Sequence, residues 1–170
     1  VALANEVFAE GLTVLNDKVY QITWQEGICF IYDKDLNQLN KTGFRSTNDQ
    51  GWGLTNDGKS LIVSDGSHKL TFLNPENMAV EKVVSVYGGE NEATYINELE
   101  YVDGYIYANI YTTDQIAKIE ASSGKIISVA DMSALKAENQ DGEVLNGIAY
   151  LPNKKTFLVT GKYWKNMYEI

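Results

Sequence analysis

Apolar and polar positions alternate along most of this chain in short runs, and each run is stopped by Asn, Asp, Gly or Ser. Val19-Tyr20-Gln21-Ile22-Thr23, Ser60-Leu61-Ile62-Val63-Ser64, Tyr105-Ile106-Tyr107-Ala108-Asn109 and Thr156-Phe157-Leu158-Val159-Thr160 are period-2 or nearly continuous apolar stretches. That is the pattern of strands with one or both faces covered. Each is preceded by a turn signal: Asn16-Asp17-Lys18, Asn56-Asp57-Gly58-Lys59, Asp103-Gly104 and Pro152-Asn153-Lys154-Lys155. No 3.6-period stripe of useful length occurs. The one helical turn predicted is Met132–Glu138, as a surface insertion.

These runs belong to a repeat. Four segments open alike, Glu10-Gly11-Leu12-Thr13, Trp52-Gly53-Leu54-Thr55, Asn97-Glu98-Leu99-Glu100 and Asn146-Gly147-Ile148-Ala149, with starts 42, 45 and 49 residues apart. Each continues through a turn, a strand, a second turn and a third strand; the first three add a short fourth run such as Lys125-Ile126-Ile127-Ser128-Val129. A period of ~40–45 residues holding four short strands is the signature of a propeller blade. The expected fold is therefore all-β: one incomplete β-propeller domain over residues 1–170, with blade units starting near 10, 52, 97 and 146. The last unit stops at its third strand, Asn166–Ile170, and the chain opens in mid-pattern at Val1-Ala2-Leu3 without Met. The expectation is of an upstream segment holding a further blade, and of open blade edges prone to self-association.

In a propeller the first strand of each blade lines the central channel. The repeat therefore rings one level of the channel mouth with Glu10, Trp52, Asn97 and Asn146. A second level, where the second strand turns toward the third, carries Trp24, Asp65-Gly66, Tyr111 and Lys162. Positions that only support packing tend to be alike, and these differ. An aromatic-walled pocket with a few polar groups is the usual form of a small-ligand site. Taken singly, each residue has an ordinary alternative. Glu10 would be a solvated strand-end acid, Trp24 and Trp52 blade-packing aromatics, Asn97 and Asn146 turn caps, and Lys162 a surface lysine. Only the repeat alignment points them at one place.

Composition narrows the chemistry. The chain has a single His and a single Cys, so a His-based metal site or a Ser-His-Asp relay has almost nothing to build on. His68 reads as a solvated turn residue and Cys29 as a small buried hydrophobe. Tyr87-Gly88-Gly89-Glu90 reads as a loop, not a phosphate cradle. A net charge of −9 without a Lys/Arg cluster argues against nucleic acid and against anionic membranes. No run approaches the ~18 apolar residues of a spanning helix, and no signal peptide is visible.

At the level of motifs the chain resembles the propeller-type glutaminyl-peptide cyclotransferases. The ordered set is Phe8-Ala9-Glu10-Gly11-Leu12-Thr13, Ile22-Thr23-Trp24, Gly51-Trp52-Gly53-Leu54-Thr55, Ser64-Asp65-Gly66, Asn97-Glu98-Leu99-Glu100-Tyr101, Ala108-Asn109-Ile110-Tyr111, Val144-Leu145-Asn146-Gly147 and Val159-Thr160-Gly161-Lys162-Tyr163-Trp164. The resemblance runs from about Phe8 to Ile170. It implies a five-bladed propeller whose first blade is missing here, and closure of N-terminal glutamine to pyroglutamate with release of ammonia. It implies Glu10 as general acid/base, Asn97 as hydrogen-bonding partner of the substrate and Lys162 as the charge at the developing oxyanion. Phe8, Trp24, Trp52 and Tyr111 would wall the substrate pocket, with Asn146 beside them. No metal or other cofactor is implied, the partners are peptides or proteins beginning in Gln, and the setting is secreted, periplasmic or vacuolar. Two departures stand out: Tyr111 replaces the family's usual Trp, and the family's first-blade Phe-Thr-Gln-Gly-Leu motif has no counterpart. Two alternatives stay open. One is a metal-dependent, lactonase-like propeller hydrolase using Glu10, Asn97 and Asn146; the other is a non-catalytic propeller binding module.

Overall fold

A computed structural model describes residue 3 and residues 5–170. Its strands form four antiparallel sheets in sequence order. The first blade is β1 (Ala9–Leu15), β2 (Lys18–Thr23), β3 (Ile28–Tyr32) and β4 (Gln38–Gly43); the second is β5 (Leu54–Asn56), β6 (Leu61–Ser64), β7 (Lys69–Leu73) and β8 (Val80–Ser85). A two-stranded hairpin, β9 (Tyr87–Gly88) and β10 (Asn91–Glu92), precedes the third blade of β11 (Ile96–Val102), β12 (Tyr105–Ile110), β13 (Gln115–Glu120) and β14 (Ile126–Asp131). A short helix, α1 (Ser133–Ala137), leads to the last sheet of β15 (Leu145–Leu151), β16 (Thr156–Gly161) and β17 (Tyr168–Glu169). The blades make a four-blade propeller arrangement with β1, β5, β11 and β15 innermost and packed in series. Among the described residues no helix is long and apolar enough to cross a membrane.

The strand period explains how the blades stack. On β6, Leu61 and Val63 join Tyr20, Ile22 and Cys29 in the core between the first two blades, while Ile62 faces the other way, into the core with Ile96, Leu99 and Ile106. Both faces of a middle blade are thus apolar, which is why β6 reads as a continuous hydrophobic run. Ile116, Leu145, Ile148 and Val159 fill the next interface. Leu3 and Val7 cover Val19, Phe30 and Tyr32 on the far face of the first blade. Cys29 is wholly buried, and burial pushes its thiol up to about 12.

Backbone approaches tie the inner strands together. The Gly11 amide donates to the Trp52 carbonyl at 2.9 Å, and the Ser64 hydroxyl donates to the Asn97 carbonyl at 2.7 Å. A Cβ on Gly11 would strike Leu54, and one on Gly53 would strike the Asn97 carbonyl. Glycine is required there because two blades meet backbone to backbone.

Two segments differ from the expectation. Tyr87-Gly88-Gly89-Glu90, read as a loop, forms the β9–β10 hairpin. Gly89, at φ +63°, makes its turn, and the Tyr87 amide donates to the Gly124 carbonyl of the third blade. His68, read as solvated, lies with Nε2 3.2 Å from Glu92 Oε1, because the hairpin folds back over its turn. Leu61→Ala should lower the unfolding free energy in a urea titration by about 3 kcal/mol, the usual cost of emptying a core leucine site. Val14→Ser, on the exposed face of β1, should change it by under ~0.5 kcal/mol.

Candidate active site

The same irregularity recurs near the start of each inner strand. Pairing slips between Ala9 and Leu12 on β1, between Ile96 and Leu99 on β11, and between Leu145 and Ile148 on β15. In the second blade Ser64 bonds both sides of a like bulge, donating its amide to the Gly53 carbonyl and accepting the Trp52 amide. A bulge re-aims the side chain it carries. Glu10, Trp52, Asn97 and Asn146 are the residues so re-aimed, which is the physical content of their repeat equivalence. The second level is as regular: Trp24, Asp65, Tyr111 and Lys162 each stand one residue beyond the end of a second strand.

Seven of the eight residues to which the family resemblance gives a catalytic or substrate-binding place line one cavity of about 200 Å³. Phe8 and Trp24 meet edge to face at 5.9 Å between centroids, and Trp52 and Tyr111 do the same at 5.4 Å. Glu10 and Asn97 line the same cavity, as does Lys162, whose Nζ lies 5.4 Å from the Tyr111 ring centre. Lys162 is held in place by its backbone, which brackets the segment before β15: its amide donates to the Val144 carbonyl and its carbonyl accepts the Glu143 amide. Among the described residues its ammonium is in no ion pair.

The eighth residue goes elsewhere. Asn146 Oδ1 accepts the Glu98 amide at 3.5 Å, so this side chain braces the third blade instead of lining the cavity. Asp65, expected at the mouth, is fully buried. Its carboxylate accepts from the Thr47 hydroxyl, the Asn48 amide, and the Ser67 amide and hydroxyl, pinning the loop before Gly51. The residue after it does shape the site, since a Cβ on Gly66 would strike the Trp52 ring.

Sequence reasoning missed Gln50. Its Oε1 accepts Nε1–H of Trp24 at 2.8 Å and of Trp52 at 2.9 Å, so one carboxamide fixes the angle between two walls. Gln50 lies in a loop between repeat units, where no alignment of units reaches it. The only available signal was its position two residues before Trp52.

The electrostatics suit acid–base work. Burial raises the Glu10 carboxyl above the ordinary carboxylate range, and the Lys162 charge opposes that rise. Asn97 is 5% exposed, and among the described residues its Oδ1 is a buried acceptor without a hydrogen-bond partner. A buried acceptor left without a donor is costly, and Asn97 is also a residue of the cavity lining. Among the described residues no cluster of three His, Cys, Asp or Glu forms a metal-ligand set. Of the three ligands that the lactonase-like alternative needs, Asn146 is outside the cavity. A larger open depression of about 680 Å³ lies near Phe44 and Met78 and shares no lining residue with this cavity.

The sequence profile of the glutamine cyclotransferase family matches residues 1–170. The chain belongs to that family. It is 38% identical over 173 residues to the glutaminyl-peptide cyclotransferase of Arabidopsis thaliana, covering 98% of this chain and 53% of the relative. The chain thus spans about half the length of that curated relative. The crystal structure of Myxococcus xanthus glutaminyl cyclase superposes with a TM-score of 0.90 at 34% identity, over 96% of this chain and 72% of that one. The WD40 β-propeller domain of Doa1 superposes with a TM-score of 0.58 at 10% identity, over 95% of this chain and 49% of that one, a likeness of fold alone.

Gln50→Ala should free both indoles. Their fluorescence should shift and become more accessible to acrylamide, while far-ultraviolet circular dichroism stays unchanged. Unaltered quenching would show that the shared acceptor does not fix the two walls.

Proposed function

We propose that this chain carries the catalytic pocket of a glutaminyl-peptide cyclotransferase acting on peptides or proteins that begin in glutamine. The observation that carries the reading is a single carboxyl, Glu10, with its pKa raised by burial, in an aromatic cavity shared with a cation and a buried carboxamide acceptor that are both unpartnered among the described residues. Membership of the glutamine cyclotransferase family supports it.

On this reading the steps run as follows. The substrate's glutamine side chain lies between the Phe8–Trp24 and Trp52–Tyr111 pairs, folded so that its α-amine reaches its own Cδ. Ring closure is intramolecular, so holding that fold supplies much of the rate. Asn97 Oδ1 accepts a hydrogen bond from the substrate's N–H groups. As the amine nitrogen bonds to Cδ, Glu10 takes a proton from it, and negative charge gathers on the amide oxygen beside Lys162. The Cδ–Nε bond then breaks, Glu10 returns its proton to the departing nitrogen, and ammonia leaves. The aromatic walls keep water from competing for Cδ.

Mass spectrometry of a Gln-initiated peptide should show loss of ammonia. Glu10→Gln should lower kcat by about 10²–10⁴-fold, the range of general acid–base contributions. Turnover unchanged in that variant would remove Glu10 from the reaction. The acid limb of kcat should lie above the ordinary carboxylate range, because Glu10 must be ionised to take the proton and its pKa is raised. Lys162→Met should move that limb to still higher pH by removing the opposing cation.

A further inference from the structure

Two indoles of the pocket wall are held by a loop outside the pocket. Trp24 and Trp52 stand on different blades, yet both give Nε1–H to Gln50 Oε1, which is not part of the cavity lining. An amide oxygen has two lone pairs, so the two rings together saturate it. Gln50 lies between β4 and β5, where residues 44–53 form no strand, so its place must come from side chains. Its amide donates to Ser46 Oγ at 3.1 Å and its carbonyl accepts the Ser46 hydroxyl at 2.7 Å. The Gly51 amide then donates to the Trp24 carbonyl at 2.8 Å, and a Cβ on Gly51 would strike the Thr23 carbonyl. The near end of the loop is fastened by Asp65. That carboxylate accepts the Thr47 hydroxyl at 2.7 Å and the Asn48 amide at 2.8 Å, and the Asp65 carbonyl accepts the Asn48 side-chain amide at 3.2 Å. Asp65 is fully buried, and among the described residues no cation pairs with it. A buried carboxylate held only by neutral donors is costly to keep. What it fixes is the loop that carries Gln50.

We propose that Asp65 is a positioning residue for ring closure that acts through Gln50: it locks the Ser46–Gln50 loop so that one amide oxygen holds Trp24 and Trp52 at the separation in which a glutamine side chain folds onto its own amine. Trp24 is 38% exposed, and a ring so placed would sample other rotamers without the clasp. An intramolecular closure depends on the fold in which the substrate is held, and a wall displaced by about 1 Å can cost up to ~10²-fold in rate. The role in turnover rests on the cyclotransferase reading; the mechanical link from Asp65 to the two indoles belongs to the resting protein.

The test labels the 3 tryptophans of the full chain with ¹⁵N and follows their indole N–H signals without substrate. Trp164 is the internal control, since its Nε1 donates to the Glu143 carbonyl, away from this loop. Asp65→Ala should shift the Trp24 and Trp52 signals together and speed their exchange with water about fivefold, with Trp164 unmoved. Thr47→Val should do the same, and because Thr47 is exposed, that variant serves even if Asp65→Ala does not fold. With a Gln-initiated peptide, Thr47→Val should lose about tenfold in kcat with the shape of the pH profile kept. Gln50→Leu should lose at least as much, and Gln50→Glu, which keeps an oxygen for both indoles, should recover it. In the Gln50→Leu background Thr47→Val should cost nothing further, because the path runs through Gln50. Additive losses in the double variant, or indole signals indifferent to both Thr47→Val and Asp65→Ala, would overturn the proposal. Linked indole signals in a chain without turnover would overturn the cyclotransferase reading, and the role in ring closure with it, while the link from Asp65 to the indoles holds.

Discussion

The structure depends on how closely the inner strands approach. At Gly11 and Gly53 one blade's backbone lies against the next with no space for a Cβ, and the Gly11 amide bonds directly to the Trp52 carbonyl. Apolar faces fill the wide outer part of each interface. At the narrow inner part only backbone and small side chains fit. That constraint forces the chain to bulge, since a flat strand would drive side chains into the neighbouring blade. The bulges then turn Glu10, Trp52 and Asn97 toward the mouth. Packing and site are therefore one geometric problem: the contact that lets blades converge also aims the polar groups.

Once aimed, these groups gain their chemistry from what surrounds them. A carboxyl on an open strand end would titrate in the ordinary range. Glu10 does not, because aromatic rings from three blades displace water from it. Lys162 offsets part of that cost, which keeps the carboxyl ionisable. Asn97 adds an acceptor that the described residues leave unmet. A carboxamide with an unused oxygen, a cation without a counter-ion and a carboxyl with a raised pKa are each unfavourable alone. Together they describe the outline of a polar ligand with donors on one side and an oxygen on the other.

Much of this was legible in the sequence. Period-2 runs located β2, β6, β12 and β16, and the spacing of Glu10, Trp52, Asn97 and Asn146 placed the inner strands. The surface turn at Met132–Glu138 contains α1. What escaped was whatever depends on a partner. Asn146 occupies an equivalent bulge, yet its oxygen turns to the Glu98 amide. Asp65 holds an equivalent strand end, but four donors from its own loop and the loop before Gly51 draw it inward. Periodicity places a residue on a face; it does not say which hydrogen bond competes for the side chain. Gln50 and the β9–β10 hairpin lie in linking segments outside the repeat, where internal comparison has no purchase.

The cavity is walled by side chains mounted on four different sheets. Hinge-like rocking of one blade against the next would therefore alter its width directly, like the jaws of a vice, without any strand losing its own pairing. Gln50 resists that motion at one seam, since a single oxygen grips an indole from each of the first two blades. The seam between Trp52 and Tyr111 carries no such clasp between the two rings, only an edge-to-face contact. That seam is held instead through its backbones, by the Ser64 hydroxyl on the Asn97 carbonyl and the Tyr95 amide on the Gly66 carbonyl, so both walls are braced and a ligand must fit the aperture they set.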